Sequence, residues 1–124
     1  MKKDISTSED VQLLINSFYD KVRKDAVIGY IFEDIARVDW EHHLPVMYAF
    51  WEGVLFMKGG YAGNPMALHM DLNVRVPLTK EHFDRWYQLF KATVDEHFEG
   101  EVAELARQRA LSIATTMQIR IARA

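Results

Sequence analysis

The sequence predicts an all-α fold, and three observations carry that prediction. Apolar residues recur at three- and four-residue intervals through four stretches of the chain. Serine, threonine or aspartate stands where most of these stretches begin, and glycines stand near where they end. No stretch alternates apolar and polar residues over the length of a strand.

The first helix is expected to begin near Ser6-Thr7-Ser8, where Ser6 and Glu9 have the spacing of a capping box. Val11, Leu14, Ile15, Phe18 and Val22 then form an apolar stripe, with Tyr19 on the same side. Lys21, Arg23 and Lys24 suit its C-terminal turn. Gly29 marks a break before the short apolar piece Tyr30-Ile31-Phe32. Asp39 is an N-cap for a second helix starting at Trp40, whose stripe reads Trp40, Leu44, Met47, Trp51, Val54, Leu55. His43, Met47, Phe50 and Val54 lie along one edge of it. Pro45 lies beyond the first turn, where it removes a hydrogen bond and should kink the helix. Gly59-Gly60 is the expected stop.

Residues 60–78 have no long periodicity, and loops of that length are often functional. Within them, Asn64-Pro65 is an N-cap followed by a first-turn proline, so a short helix should end at His69. Thr79 caps the third long helix, with Glu81 in its first turn and Phe83, Trp86, Tyr87, Phe90 and Val94 on its stripe. Gly100 separates it from a fourth helix running from about Glu101 toward the C-terminus. Val102, Leu105, Ala106, Ala110, Ile113, Met117 and Ile121 should face inward there. So short a turn makes the last two helices antiparallel neighbours.

The chain of 124 residues is expected to be one domain, 1–124, long enough to bury a core without staples. Hydrophobic residues make up 49%, which argues against disorder. With 15 Lys+Arg against 18 Asp+Glu the formal charge is −3, so nucleic acid is not expected as a partner. The absence of cysteine excludes disulfides, thiolate metal sites and a cysteine nucleophile. Neither a signal peptide nor a membrane span is visible, and a cytoplasmic monomer is the expectation.

Several chemistries are missing. There is no Glu-x-x-His pair for a di-iron bundle and no His-Glu-x-x-His. Gly59-Gly60-Tyr61-Ala62-Gly63 lacks the Gly-Lys-Ser/Thr of a phosphate loop. His42 and His43 are adjacent on a helix and point about 100° apart, so they do not easily share an ion. What remains is a small helical domain with five histidines, many aromatics and one histidine, His69, at a structured place in a loop. Such a domain suits haem, which needs one imidazole on one face and a mostly apolar slot. On spacing alone, capping of its own short helix is the first role for His69.

Longer blocks change that balance. They are Phe18-Tyr19-Asp20-Lys21-Val22, Gly29-Tyr30-Ile31-Phe32, Asp39-Trp40 followed by His43, and Phe50-Trp51. Tyr61-x-Gly63-Asn64-Pro65-x-x-x-His69 follows, then His82-Phe83-Asp84-Arg85-Trp86 with Leu89-Phe90, then Gln108-Arg109-Ala110. In these blocks the chain resembles the group III (P-type) truncated haemoglobins; those ending in His69 and Trp86 are the specific ones. The resemblance implies a shortened globin fold in which two antiparallel helix pairs sandwich haem b. His69 then matches the proximal iron ligand, Tyr19 and Trp86 the distal hydrogen-bonding positions, and His43 the distal position facing the gas. Phe32 matches the aromatic packed on the haem at the inter-helix corner. Met47 and Phe50, on the edge of the second helix that carries His43, complete the cofactor-binding set with His69, Phe32 and Trp86. Two features depart from a simple match: Pro45 follows His43 closely enough to tilt it, and Asp71 to Leu78 is somewhat long. Lys58, Arg75 and Arg85 are propionate candidates by charge, although most basic residues are simply solvated.

The expected function is binding of O₂, NO or CO at ferrous iron. Tyr19 would supply an O–H and Trp86 an N–H that can only donate. Two donors suit oxygen or nitric oxide redox chemistry, such as NO dioxygenation, better than fast transport. That chemistry needs an external reductase, since no flavin or nicotinamide site is visible. The host expected from the resemblance is a bacterial cytoplasm. The competing expectation is a cofactor-free helical bundle serving as a protein-interaction module, which the visible spectrum would distinguish.

Overall fold

A computed structural model describes residues 2–57 and 78–122 of the chain. Helix α1 spans Ser8–Lys24. Its capping box sits one residue later than the Ser6–Glu9 expectation. Thr7 accepts the Asp10 amide at 3.1 Å, and the Asp10 carboxylate accepts the Thr7 amide at 3.1 Å. The register shifts because Asp10 is the better anchor. It also accepts the Ser6 amide at 2.9 Å and pairs with Lys3 Nζ at 2.8 Å. Burial opposes the Asp10 charge, but Lys3 and these donors prevail and hold its pKa at about 2.

Asp25 closes α1 and caps the turn beyond it. Its carboxylate accepts the Val27 and Ile28 amides at 3.0 and 3.1 Å. Gly29 lets the chain double back closely, since a Cβ there would meet the carbonyl oxygens of Val22 and Arg23 at 3.0 Å. The apolar piece after it is a π-helix, Ile31–Ile35, in which the Ala36 amide donates to the Ile31 carbonyl at 2.7 Å. Arg37, at φ 49°, turns the chain toward the next helix.

Helix α2 spans Trp40–Phe56 and contains Pro45 within it. Asp39 is its N-cap, as expected, but acts through its carbonyl, which accepts the His42 and His43 amides at 3.1 and 2.8 Å. The helix ends before Gly59-Gly60. Met57 takes the left-handed conformation that closes it (φ 58°) and is almost fully exposed. Gly59-Gly60, the short helix expected at Pro65–His69, and all of the Asp71–Leu78 stretch but Leu78 lie outside the described residues, as do Lys58, His69 and Arg75.

Helix α3 spans Lys80–His97 and α4 spans Glu101–Ala122. Thr79 caps α3 as predicted, and its reciprocal partner is His82, whose Nδ1 accepts the Thr79 amide at 3.1 Å. The segment Phe98–Gly100 folds α4 back onto α3. Among the described residues there is no strand. None of the described helices is long and apolar enough to cross a membrane.

Helix α1 packs on α2 and α3, α3 packs on α4, and α2 touches α4, giving two helix pairs laid one over the other. The α1 stripe is fully buried at Val11, Leu14, Ile15, Phe18 and Val22. It meets Trp51 and Leu55 of α2, and Phe90 and Val94 of α3. Helix α4 meets this core through alanines. Ala103, Ala106, Ala110 and Ala114 are buried with Met117, whereas Val102, Leu105, Ile113 and Ile121 are only half-buried. Ala106, Ala110 and Met117 were expected to face inward, and the small side chains at the crossing let the helices approach closely. The N-terminal arm docks on the same end of the molecule. Ile5 is buried, and the Asp4 carboxylate caps α4 by accepting the Val102 and Ala103 amides at 3.0 and 2.8 Å.

Candidate cofactor and ligand site

Tyr19 is buried near the C-terminal end of α1, one residue after the core Phe18. Its phenol oxygen lies 3.4 Å from Nε2 of His43 on α2. Burial pushes the phenol pKa far above its ordinary value of 10.0, so the hydroxyl keeps its proton throughout the physiological range. The ring is walled by aromatics from three directions along the chain: Phe32 at 6.1 Å, Trp40 at 5.2 Å and His43 at 5.4 Å between centroids. The structure thus gathers three of the sequence-predicted residues, Tyr19, Phe32 and His43, around one point.

Trp40, the first residue of the α2 stripe, joins them. It stacks on Phe32 with a 25° interplanar angle and meets His43 edge-on at 5.7 Å. Its indole N–H donates to Glu33 Oε1 at 2.9 Å, and the same oxygen accepts Arg23 Nε at 2.6 Å. The Arg23 guanidinium also lies 4.9 Å from the Trp40 ring centre, within cation–π range. The sequence signal was present, since Asp39-Trp40 is one of the resembling blocks, but no spacing rule ties Arg23 and Glu33 to it.

Trp86 approaches from α3 and is half-buried. It meets Phe18 edge-on at 5.6 Å and stacks on Phe90, which in turn stacks on Trp51 of α2. Tyr19 also packs on Phe18, at 4.9 Å, so both donor residues border the same core aromatic from different helices. Helix α2 supplies the apolar surface beside them. Only Trp51 and Leu55 of this helix are buried, while Leu44, Met47, Phe50 and Val54 are half-buried. Phe50 meets Trp51 edge-on at 5.5 Å. A helix so rich in apolar side chains and so incompletely covered suits the flat apolar body of a macrocycle.

Arg85 stands apart from this arrangement. Its guanidinium holds Asp25 through Nε at 2.8 Å and Nη2 at 2.6 Å, joining α3 to the end of α1. Burial opposes ionisation of Asp25, yet Arg85 and the capping amides keep its pKa below the ordinary value. Its charge is therefore used within the protein. The histidines divide similarly: His82 serves the α3 cap, His97 lies 3.3 Å from Glu96, and His42 is exposed. Among the described residues no group of three or more His, Asp or Glu side chains is arranged to hold a metal ion. A haem asks for a single imidazole instead.

No family model matches the chain. It is similar to Group 3 truncated hemoglobin ctb of Campylobacter jejuni, with 33% identity over 121 residues, 95% of this chain and 93% of that protein. Among solved structures it is similar to the crystal structure of group III truncated hemoglobin from Campylobacter jejuni. That match has a TM-score of 0.86 and 33% identity, and covers 98% of this chain and 95% of the other. An aromatic-walled tyrosine–histidine pair beside an incompletely covered apolar helix, on a backbone and sequence that match this closely, places the chain in the group III truncated haemoglobins, a family of haem-binding globins.

Proposed function

We propose that this single-domain globin holds haem b through His69 and binds O₂, NO and CO, with Tyr19, Trp86 and His43 lining the distal side. The 3.4 Å approach of Tyr19 Oη to His43 Nε2 inside the aromatic wall carries this reading. The haem, when bound, supplies a ferrous iron with a position open to diatomic ligands. The chain supplies the rest. The buried, protonated Tyr19 phenol is a fixed O–H donor, and the Trp86 indole is a donor only. His43, on the edge of α2, is placed to admit or obstruct a ligand moving toward Tyr19. Phe32, Met47 and Phe50 provide apolar contact area and keep bulk water away from these donors.

Two donors in apolar surroundings strengthen retention of a polar diatomic ligand, which supports oxygen or nitric oxide redox chemistry or detoxification. Such turnover requires an external reductase. A cytoplasmic monomer without nucleic-acid or membrane partners completes the proposal. Addition of haem to the purified protein tests it by visible spectroscopy. A Soret band that saturates at one haem per chain is the expected result, and a protein that stays colourless overturns the proposal in favour of a cofactor-free bundle.

A further inference from the structure

We propose that Glu33 is a positioning residue that sets the stance of His43 by clamping Trp40. One carboxylate oxygen serves two groups: it accepts Trp40 Nε1–H at 2.9 Å and Arg23 Nε at 2.6 Å. Arg23 in turn lies over the Trp40 ring, with 4.9 Å between Cζ and the ring centre. The indole is thus held at its N–H edge by Glu33 and against one face by Arg23. Its ring contacts run to Phe32, Tyr19 and His43. Among the rings around Tyr19, Trp40 is tied to charged side chains of two other elements, Glu33 of the π-helix and Arg23 of α1.

An exposed ion pair contributes little to stability. The Arg23 and Glu33 side chains are 47% and 36% exposed, so stability alone gives this pair little importance. Its geometric effect is larger, because Trp40 starts α2 and stands one turn before His43 on that helix. A Trp40 ring free to rotate leaves the aromatic wall beside His43 open, and His43 then leaves its contact with Tyr19 more readily. This inference rests on the distal role proposed above for His43.

The test uses the haem-loaded protein, with CO as the probe. Three variants are compared with wild type by flash photolysis: Glu33→Ala, Glu33→Gln and His43→Leu. A lost hydrogen bond of ordinary strength corresponds to about three- to tenfold. Glu33→Ala is expected to speed CO association by about that factor, and Glu33→Gln, which keeps an oxygen for the indole, to stay near wild type. His43→Leu is expected to speed association as well, and adding Glu33→Ala to it to change nothing further. A second readout is independent of ligand kinetics. The Trp40 indole proton, assigned by its loss in Trp40→Phe, should exchange with solvent faster in Glu33→Ala and at the wild-type rate in Glu33→Gln. If His43→Leu alters association and Glu33→Ala does not, the clamp is overturned while the distal assignment stands. If His43→Leu itself changes nothing, the distal role of His43 fails and the clamp falls with it. Equal effects of Glu33→Ala with and without His43 would overturn action through His43.

Discussion

Among the described residues, Tyr19 meets four rings and makes one polar contact, the 3.4 Å approach to His43. Replacing its hydroxyl by hydrogen therefore changes polarity while leaving the packing nearly intact. A net hydrogen bond contributes about 0.5–1.5 kcal/mol, and somewhat more when its partner carries charge. Since 1.4 kcal/mol is a factor of ten, Tyr19→Phe is expected to speed O₂ release by roughly tenfold. CO is less polar, so its release should change much less; stopped-flow displacement of each ligand makes the comparison. Equal effects on both ligands would mark Tyr19 as a packing residue. Trp86→Phe should act in the same direction, but it also removes ring area packed on Phe18 and Phe90, so the tyrosine variant is the cleaner probe. His43, Phe32 and Trp86 could be named from sequence only because whole blocks around them resemble a family. Periodicity alone gave His43 and Trp86 ordinary places on helices and left Phe32 in a short apolar piece after Gly29. Glu33 and Arg23 stayed hidden because their shared contact with Trp40 depends on a π-helical turn that no residue pattern announces.

At the scale of elements, apolar periodicity located all four long helices, and the differences fall at their ends. The α1 box moved to Thr7 and Asp10 because Lys3 and the Ser6 amide also converge on Asp10, a tertiary preference that the Ser-x-x-Glu spacing does not contain. Helix α2 stopped at Phe56 because Met57 adopted the left-handed conformation usually left to glycine or asparagine. On α4 the expected Ala106, Ala110 and Met117 are buried, whereas Val102, Leu105, Ile113 and Ile121 are only half-buried and Ala103 and Ala114 fill the close crossing instead. Asp10 yields a pH prediction. Its carboxyl has an ordinary pKa of 3.8 and is held at about 2 in the folded chain. The resulting stability is fully present above pH 4 and is lost as the pH falls toward 2. Lys3 is largely exposed and its contribution is screened, so Asp10→Asn should cost about 1–2 kcal/mol at neutral pH. Denaturant unfolding at pH 7 and pH 3 checks this, with the variant expected to lose less stability between the two than wild type.

Across the whole molecule, the N-terminal arm and the α3–α4 turn brace the helix pair that carries Trp86. Gly100 sits at φ 139°, and a Cβ there would lie 2.5 Å from Asp4 Cγ, which is pinned by the two amides it caps. Gly100→Ala must therefore strain the backbone and displace the cap, at a combined cost of about 2–4 kcal/mol. Thermal unfolding should show a lower midpoint, and Asp4→Ala should lower it as well, by the cap's share. This bracing was not legible in a charged N-terminus, since it depends on contacts nearly a hundred residues apart in the chain. The antiparallel pairing of α3 and α4 was legible in the short turn between them, whereas the two-over-two arrangement followed only from the family resemblance. The central claim is that this arrangement presents a haem to Tyr19, His43 and Trp86 with His69 as its protein ligand. The ferrous visible spectrum of His69→Ala, with and without added imidazole, tests it most directly. Weak haem retention, loss of the ferrous histidine spectrum and partial recovery with imidazole are the predicted results; a spectrum unchanged from wild type would contradict the assignment and move the iron to another side chain.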